Sequence, residues 1–458
     1  MTIHDLIVIA GLVAAGVIAL AGLFRPFLGL IVLIAIRFIQ PGELLPALGE
    51  LRIELAYGAA LLIAFAIYRA SRPIPRLLSN RIVYASLLLV GAACMSVPFA
   101  VWRGGAFWQT AELIKTVIVL FLVAGLVDTT SRMRKLLWTL VGLLGWFAGS
   151  GLISYLHGDF FFREGIERAE GVNSMAGGPN ELAGLILALL PFVIVLLKCT
   201  RSILVRLLLL ACGGLGLATM VVTGSRICML ALIAIAAYYV LRSRQKIPAL
   251  VLGAGLLVAL WVAMPQQYRE RYLTVKHYAE GGELDASNTA RLNVWRVGWR
   301  MFFDHPILGV GAGQFPTAFG TIYATRRHVS WASPHNLFLQ IACEMGVVGL
   351  IAFAYFFVQI FKQIRSVPRA SEGPLKLNYE VAVACGVMLL GLVVTSIVGH
   401  TLYRPYWYLL GGLVAANRLI ADTILGGESA TVPADQATES EDYEERNVPV
   451  ALMREGRG

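Results

Sequence analysis

Residues 179–222 read PNELAGLILALLPFVIVLLKCTRSILVRLLLLACGGLGLATMVV. Two apolar runs, 179–198 and 203–222, are joined by a short connection carrying Lys198, Arg201 and Arg206. A helix needs about 20 mostly apolar residues to cross the hydrocarbon layer of a bilayer, and this stretch supplies that twice in succession. Runs of the same kind recur near 3–23, 26–40, 52–69, 82–101, 106–127, 133–155, 226–241, 247–264, 335–361, 378–399 and 404–425. The second of these, 26–40, is short and carries Arg37, so twelve and thirteen spans both satisfy the pattern. The whole chain agrees: 58% of its 458 residues are hydrophobic and 14% are charged, against about 25% charged in an average soluble protein. Its mean hydropathy is +0.72. That many apolar side chains cannot be hidden inside soluble domains. The reading is an all-α integral membrane protein of about 12–13 transmembrane helices, with one large outward loop containing amphipathic helices. No convincing internal repeat is present. The opening Met1-Thr2-Ile3-His4-Asp5 lacks the basic flank of a cleavable signal, so the first run reads as retained.

The formal net charge is +10. Nucleic-acid binding is the usual reading of such a balance, but here the basic residues sit between apolar runs, and no nucleic-acid partner is expected. Clusters at Arg69/Arg72/Arg76/Arg81, Arg132/Arg134/Lys135, Lys198/Arg201/Arg206, Arg242/Arg244/Lys246 and Lys362/Arg365/Arg369/Lys376 fall in every second connection. Cytoplasmic loops are enriched in Lys and Arg, which places these five loops inside and the alternate ones outside. The outward set is 41–50, 102–105, 156–178, the turn 223–225, the long segment 265–334, and 400–404. Residues 1–425 thus form the polytopic membrane domain. Residues 426–458, with eight acids and three Arg, read as an acidic disordered cytoplasmic tail.

Chemistry concentrates on the outward side. All seven His (His4, His157, His277, His305, His328, His335, His400) fall there or at the N-terminus. Single Arg residues occupy the outward connections, against the positive-inside bias. Snorkelling to headgroups accounts for Arg37, Arg52 and Arg103. Arg226 differs: it follows the tight turn Thr223-Gly224-Ser225 and opens the next apolar helix, where an ionisable residue is a functional candidate by default. In the long segment, Ser287-Asn288 can cap a helix, followed by Arg291, Leu292, Trp295, Trp299, Phe302 and Phe303 on one helical face. This predicts an amphipathic helix at the outer surface. Asp304-His305-Pro306-Ile307-Leu308-Gly309-Val310-Gly311-Ala312-Gly313 permits a tight backbone path there; without a βαβ unit around it, it is not a dinucleotide fingerprint. Ser333-Pro334-His335-Asn336 then opens another spanning helix with an imidazole at the membrane boundary. The six cysteines (Cys94, Cys199, Cys212, Cys228, Cys343, Cys385) lie in or beside apolar runs and read as small buried hydrophobes. No H-x-x-x-H, H-E-x-x-H, D-x-D or G-x-S-x-G occurs.

Three elements in order carry a family resemblance. They are Thr223-Gly224-Ser225-Arg226; Arg291…Trp295…Phe302-Phe303-Asp304-His305-Pro306-Ile307-Leu308-Gly309-Val310-Gly311; and His335-Asn336-Leu337-Phe338-Leu339-Gln340 continuing to Glu344-Met345-Gly346-Val347-Val348-Gly349-Leu350. Together they resemble the O-antigen ligase / O-antigen polymerase-like membrane glycosyltransferases, over about 160–350. The loop Arg163…Arg168…Gly171…Pro179-Asn180-Glu181 is similar to that family's outward loop before the core. The resemblance implies transfer of a glycan from an undecaprenyl diphosphate carrier to an acceptor hydroxyl at the periplasmic face of the bacterial inner membrane. It implies lipid A-core as acceptor in a ligase, a carrier-linked repeat in an O-antigen or exopolysaccharide polymerase, and no metal or other cofactor. Permanently charged guanidinium groups suit a lipid-diphosphate leaving group. The expected assignment is Arg226 and Arg291 on the diphosphate, Arg163 as a third cation, Asn336 on substrate, and His335 orienting or deprotonating the acceptor hydroxyl. An imidazole, with an ordinary pKa of about 6.5, suits that role. Inversion by a single displacement is expected.

Two rivals stand against this reading, one from another class and one a different type of membrane glycosyltransferase. A transporter of polysaccharide or lipid-linked glycan would place ionisable groups near the midplane, where Glu344, Glu112 and Lys115 are the candidates; the last two can neutralise each other at i, i+3. An oligosaccharyltransferase-type enzyme would use an acid in the first outward loop, such as Glu43 or Glu50, but the expected D-x-D is missing.

Overall fold

The structure is a computed structural model and describes residues 15–45, 52–70, 77–163, 165–243, 245–270, 286–323 and 331–431. Its helices begin with α1 (Ala15–Phe24), α2 (Pro26–Ile39), α3 (Ile53–Ala70), α4 (Arg81–Ser96), α5 (Arg103–Leu126) and α6 (Thr130–Leu156). A two-stranded antiparallel hairpin follows, β1 (Phe161–Arg163) paired with β2 (Ile166–Arg168). Next come α7 (Pro179–Cys199), α8 (Ile203–Val222), α9 (Arg226–Arg242), α10 (Lys246–Ala263), α11 (Ala286–Asp304) and α12 (Phe315–Thr321). The last three are α13 (Leu337–Ser366), α14 (Lys376–Ser396) and α15 (Pro405–Thr431).

Among the described residues nine helices, α3–α8 and α13–α15, are long and apolar enough to cross a membrane. The shorter apolar helices α1, α2 and α10 and the 17-residue α9 account for the remaining apolar runs. The chain is a multi-pass all-α membrane protein. Its helices start where their capping chemistry allows. Asn80, Thr129, Ser202 and Asn336 each accept a hydrogen bond from the first turn of α4, α6, α8 and α13, satisfying amides that have no helical partner. Proline opens α2, α7 and α15, where its missing N–H costs nothing. The centre of the bundle is α7 with α14 and α5 with α15, which pack side by side. Two-thirds of the apolar window of α7 is buried against 17% for the peripheral α3, so α3 turns most of its surface toward lipid.

One helix is broken on purpose. Inside α13, Gly346 has φ 61° and ψ −156°. A helix interrupted there loses the bonds from the Val347 and Val348 amides to the Cys343 and Glu344 carbonyls. All four groups find partners in the segment that follows α11. Val347 N donates to Pro306 O (2.8 Å) and Val348 N to Ile307 O (3.3 Å), while Val310 N donates to Cys343 O (2.8 Å) and Gly311 N to Glu344 O (3.1 Å). The Glu344 carboxylate accepts from Gly313 N (2.9 Å) and Tyr403 Oη (2.6 Å). Unpaired backbone at this depth would be costly, so the Asp304–Gly313 turn and the Glu344–Gly349 run require each other. The mid-membrane carboxylate of Glu344 is consumed in this clasp.

Several expectations are corrected. Arg37 does not snorkel: it is buried and pairs with Glu54 (2.7 Å), Glu112 (3.5 Å) and Thr116 (3.2 Å), because the facing helices supply two carboxylates within its reach. Arg52 and Arg103 are exposed, as snorkelling requires. Glu112 also pairs with Lys115, as their spacing suggested. Helix α11 begins at Ala286, so Ser287 and Asn288 lie in its first turn rather than capping it. Helix α15 runs on to Thr431, six residues into the segment read as tail; the rest of the tail, residues 432–458, lies outside the described residues, as do 1–14, 46–51, 71–76, 164, 244, 271–285 and 324–330.

A Cβ on Gly346 would sit 2.2 Å from Ile307 O, and its positive φ alone costs a side chain on the order of 1–3 kcal/mol. Gly346→Ala is therefore expected to lower the thermal midpoint in detergent by several degrees or to abolish a monodisperse fold. Gly142→Ala on α6, where a Cβ meets nothing within 4 Å, is expected to be neutral. Equal midpoints for the two variants, read by thermal unfolding and size exclusion, would contradict the clasp.

Candidate functional site

The site gathers at the end of the bundle where α7, α9 and α13 begin and where α6, α8 and α14 finish. Its first wall is the turn between α8 and α9. Gly224 takes φ 59°, and Tyr268 packs so closely that a Cβ there would lie 3.0 Å from its ring. The carbonyl of Thr223 accepts from Arg168 Nε (2.6 Å), and the same guanidinium donates to Asn180 Oδ1 (3.1 Å). Arg168 is 4% exposed, and a charge-assisted bond in such a place is strong. Ala169 N donates to Val222 O (3.0 Å), and Tyr268 Oη reaches Glu167 O (2.6 Å) and Tyr155 Oη (3.1 Å). Hairpin, turn and α7 start are thereby one unit, from which Arg226 projects at the first position of α9.

The loop before α7 is fastened equally well. Asn173 Nδ2 donates to Phe38 O (3.0 Å) and Ile39 O (2.8 Å), and Arg404 Nη1 donates to Ser174 O (2.7 Å). Glu43 accepts from Ser174 N (2.7 Å) and Ser174 Oγ (2.6 Å), which makes this carboxylate a brace for the loop.

The second wall is the entry to α13. His335 adopts φ 45°, a left-handed conformation that a non-glycine residue holds only when its surroundings enforce it. They do so on both sides. Trp295 Nε1 donates to Pro334 O (3.1 Å), and Asn336 accepts from Leu339 N (2.9 Å) while donating to Ile397 O (3.0 Å). Helix α11 reaches this point because Val294 and Met301 bury against Leu339 and Cys343 of α13, with Gly298 letting Leu339 approach. Its opposite side leaves Arg296, Trp299, Arg300 and Phe303 exposed. The expected amphipathic helix is there, and Arg291 stands one turn before Trp295 on the same face.

His335 meets a second imidazole. Its ring lies 5.4 Å from that of His400, edge to face. Both line a cavity of about 80 Å³ together with Asn180, Glu181, Cys228 and Arg404. Burial pushes the His400 imidazole below its ordinary value; the Glu181 carboxylate opposes this and Arg404 reinforces it. His400 is thus held neutral near pH 7. Its Nδ1 is buried and accepts or donates no hydrogen bond among the described residues.

The residues expected from sequence are distributed around this cavity rather than all within it. His335 lines it. Arg226 stands beside it: the next residues, Ile227 and Cys228, line the cavity, while Arg226 heads an adjoining apolar groove of about 310 Å³ with Met229, Leu230, Ile233, Leu257, Val258 and Trp261. Arg291 is on α11 and is not a lining residue. Asn336 has both ends of its amide engaged by backbone, leaving one N–H for anything else. Arg163 contributes backbone to β1, opposite Ile166, but its side chain lies outside the described residues. His400, Glu181 and Arg404 were not assigned beforehand; His400 and Arg404 together in a five-residue outward connection were the available signal. Among the described residues, no three His, Cys, Asp or Glu come together as a metal-binding group.

No match is found among curated proteins. Residues 211–354 match the family model described as O-antigen ligase. That interval begins before the Thr223–Arg226 turn and ends just past the Glu344–Leu350 run, so it contains all three motif elements and both halves of the Gly346 clasp. The chain is a multi-pass membrane protein, and its residues 211–354 are similar to the O-antigen ligase family.

Proposed function

We propose that this chain is a glycosyltransferase that moves a glycan from undecaprenyl diphosphate to an acceptor hydroxyl at the periplasmic face of the bacterial inner membrane. The observation that carries this reading is the pair of imidazoles, His335 and His400, in a cavity bordered by Arg404 and adjoining the Arg226-headed apolar groove. A lipid diphosphate needs an apolar seat for its chain and fixed positive charge for its head; groove and guanidinium offer both side by side. The alternating charge of the loops supports this end as periplasmic and the C-terminus as cytoplasmic.

In the proposed reaction the acceptor oxygen attacks the anomeric carbon and the bond from that carbon to the diphosphate oxygen breaks, inverting the centre. The hydroxyl proton passes to the His335 imidazole, and the carrier leaves as its diphosphate. Arg226 and Arg291 meet the charge that grows on the leaving group, where preorganised cations lower the barrier most; Arg163 is a third candidate cation, and Asn336 offers its remaining N–H to the glycan. His400, held neutral by burial, keeps a second cation from forming beside the base. An O-antigen ligase would use lipid A-core as acceptor, and a polymerase would use another carrier-linked repeat. Offering each acceptor to the purified chain separates the two, and a labelled glycan that crosses the bilayer without covalent transfer would point to a transporter.

Arg226→Ala, Arg291→Ala and His335→Ala, each inserted in the membrane at normal levels, are expected to lower transfer by at least about a hundredfold, the usual scale for losing a general base or an oriented charge. Wild-type transfer by Arg226→Ala and His335→Ala together would sink the assignment.

The pH dependence has a definite sign. Because His400 titrates below 6.5 in the folded protein, the unfolded chain takes up a proton first as pH falls through about 6.5. Folded-state stability therefore declines from there until the lowered folded value is passed, and is fully present above. His400→Gln is expected to flatten the fall in thermal midpoint between about pH 7.5 and pH 5; an unchanged slope would show that His400 is not held neutral.

A further inference from the structure

The end of the bundle opposite the two histidines carries a second built site. Helices α9, α13 and α14 diverge there around a cleft of about 570 Å³. It lies far from the first: α9 runs from Arg226 beside the cavity to Arg242 at the cleft, roughly 24 Å at 1.5 Å per residue. The cleft is elongated, since its lining follows α14 from Tyr379 to Val393, about 21 Å on the same rise. Polar and apolar parts are segregated along it. Arg242, Arg365 and Arg369 stand at the mouth, and no Asp or Glu is among the lining residues. Toward the other end the walls are Phe357, Leu389, Leu390 and Val393; Gly386 also lines the cleft, where a Cβ would touch Ile364 and Tyr238 at 3.6 Å.

Two of the three cations at the mouth, Arg242 and Arg365, are held against aromatic rings. Arg242 donates to Tyr379 Oη (2.9 Å) and its guanidinium lies over the rings of Tyr238 (6.0 Å) and Tyr379 (5.7 Å). Arg365 lies over Phe361 (5.3 Å). Stacking holds the planar group while leaving N–H donors directed outward. Three guanidiniums with no carboxylate among the lining residues favour an anion, and the apolar slot beneath them, about as long as an extended fatty-acyl chain, suits an apolar one.

We propose that this cleft is a binding site for one anionic phospholipid of the leaflet at that end, its phosphate on Arg242, Arg365 and Arg369 and an acyl chain lying along α14. Basic pockets between helices at a membrane boundary favour such headgroups. The inference is independent of the glycan chemistry at the opposite end and of which leaflet faces the cytoplasm.

The full-length chain, purified in detergent and titrated with phosphatidylglycerol, would be followed by native mass spectrometry. One tightly held lipid is expected, and an excess of inorganic phosphate is expected not to displace it. The triple variant R242Q/R365Q/R369Q should weaken it by at least about tenfold, a loss of about 1.4 kcal/mol. The triple variant R134Q/R201Q/R206Q, which removes as many cations from a neighbouring cluster at the same end, should leave it unchanged. Gly386→Leu, which fills the slot without altering charge, should also reduce binding, and each variant is compared only if it elutes as the wild type does. Equal losses in the two triple variants would mean general headgroup attraction and overturn the proposal. So would equal retention of phosphatidylethanolamine, full displacement by inorganic phosphate, or a several-fold rise in retention on deleting residues 432–458, which would make the acidic segment the occupant.

Discussion

Backbone hydrogen bonds in a bilayer have no water to fall back on, and the arrangement at Gly346 follows from that constraint. Breaking α13 frees two amides and two carbonyls, and the Pro306–Gly311 backbone takes all four. The exchange is reciprocal, so neither segment can hold its conformation alone. Gly309 and Gly346 are small because each faces the other segment's backbone: a Cβ on Gly309 would lie 2.4 Å from Cys343 O. Through this clasp α11 is held against the first turns of α13, Trp295 reaches Pro334 O, and His335 is kept in its left-handed conformation. The placement of the imidazole thus depends on an interaction deep in the membrane domain.

At the site itself, rigid positioning comes from buried polar groups that bridge separate segments. Arg168 ties the hairpin to the α8–α9 turn and to α7, and Arg404 ties the α14–α15 connection to the loop before α7. Both carry charge into a region where a diphosphate would bring the opposite sign, so they serve geometry and field together. Helices α9, α13 and α14 extend from this end to the Arg-rimmed cleft at the other, and a membrane-spanning body can present cationic sites to both leaflets with the same three helices.

Much of this was legible in the residues. Apolar runs of sufficient length located the helices, because a bilayer sets a minimum span that composition alone reveals. The short turn before Arg226 and the Pro-His-Asn opening of α13 singled out two candidate residues by their position at helix starts, and the fold sets one in the cavity and the other beside it. Other roles depended on partners far away in sequence. Arg37 looked like a snorkelling cation until Glu54 and Glu112 were found beside it. Glu344 looked like a mid-membrane ionisable group, yet its carboxylate is taken up by Gly313 and Tyr403. His400 was one outward histidine among several, and only the folding of α14 against α13 sets its ring on His335.

The sequence by itself determined the solvent, the all-α architecture and the motif order that matches the O-antigen ligase family, since each of these rests on local composition or on spacing along the chain. The tertiary structure alone decided which charges are available and which are already spent. A guanidinium or carboxylate pairs with whatever group lies within about 3 Å, and for Arg37, Arg168 and Glu344 partners come from separate segments of the chain, 17 to 59 residues away, brought together by helix packing.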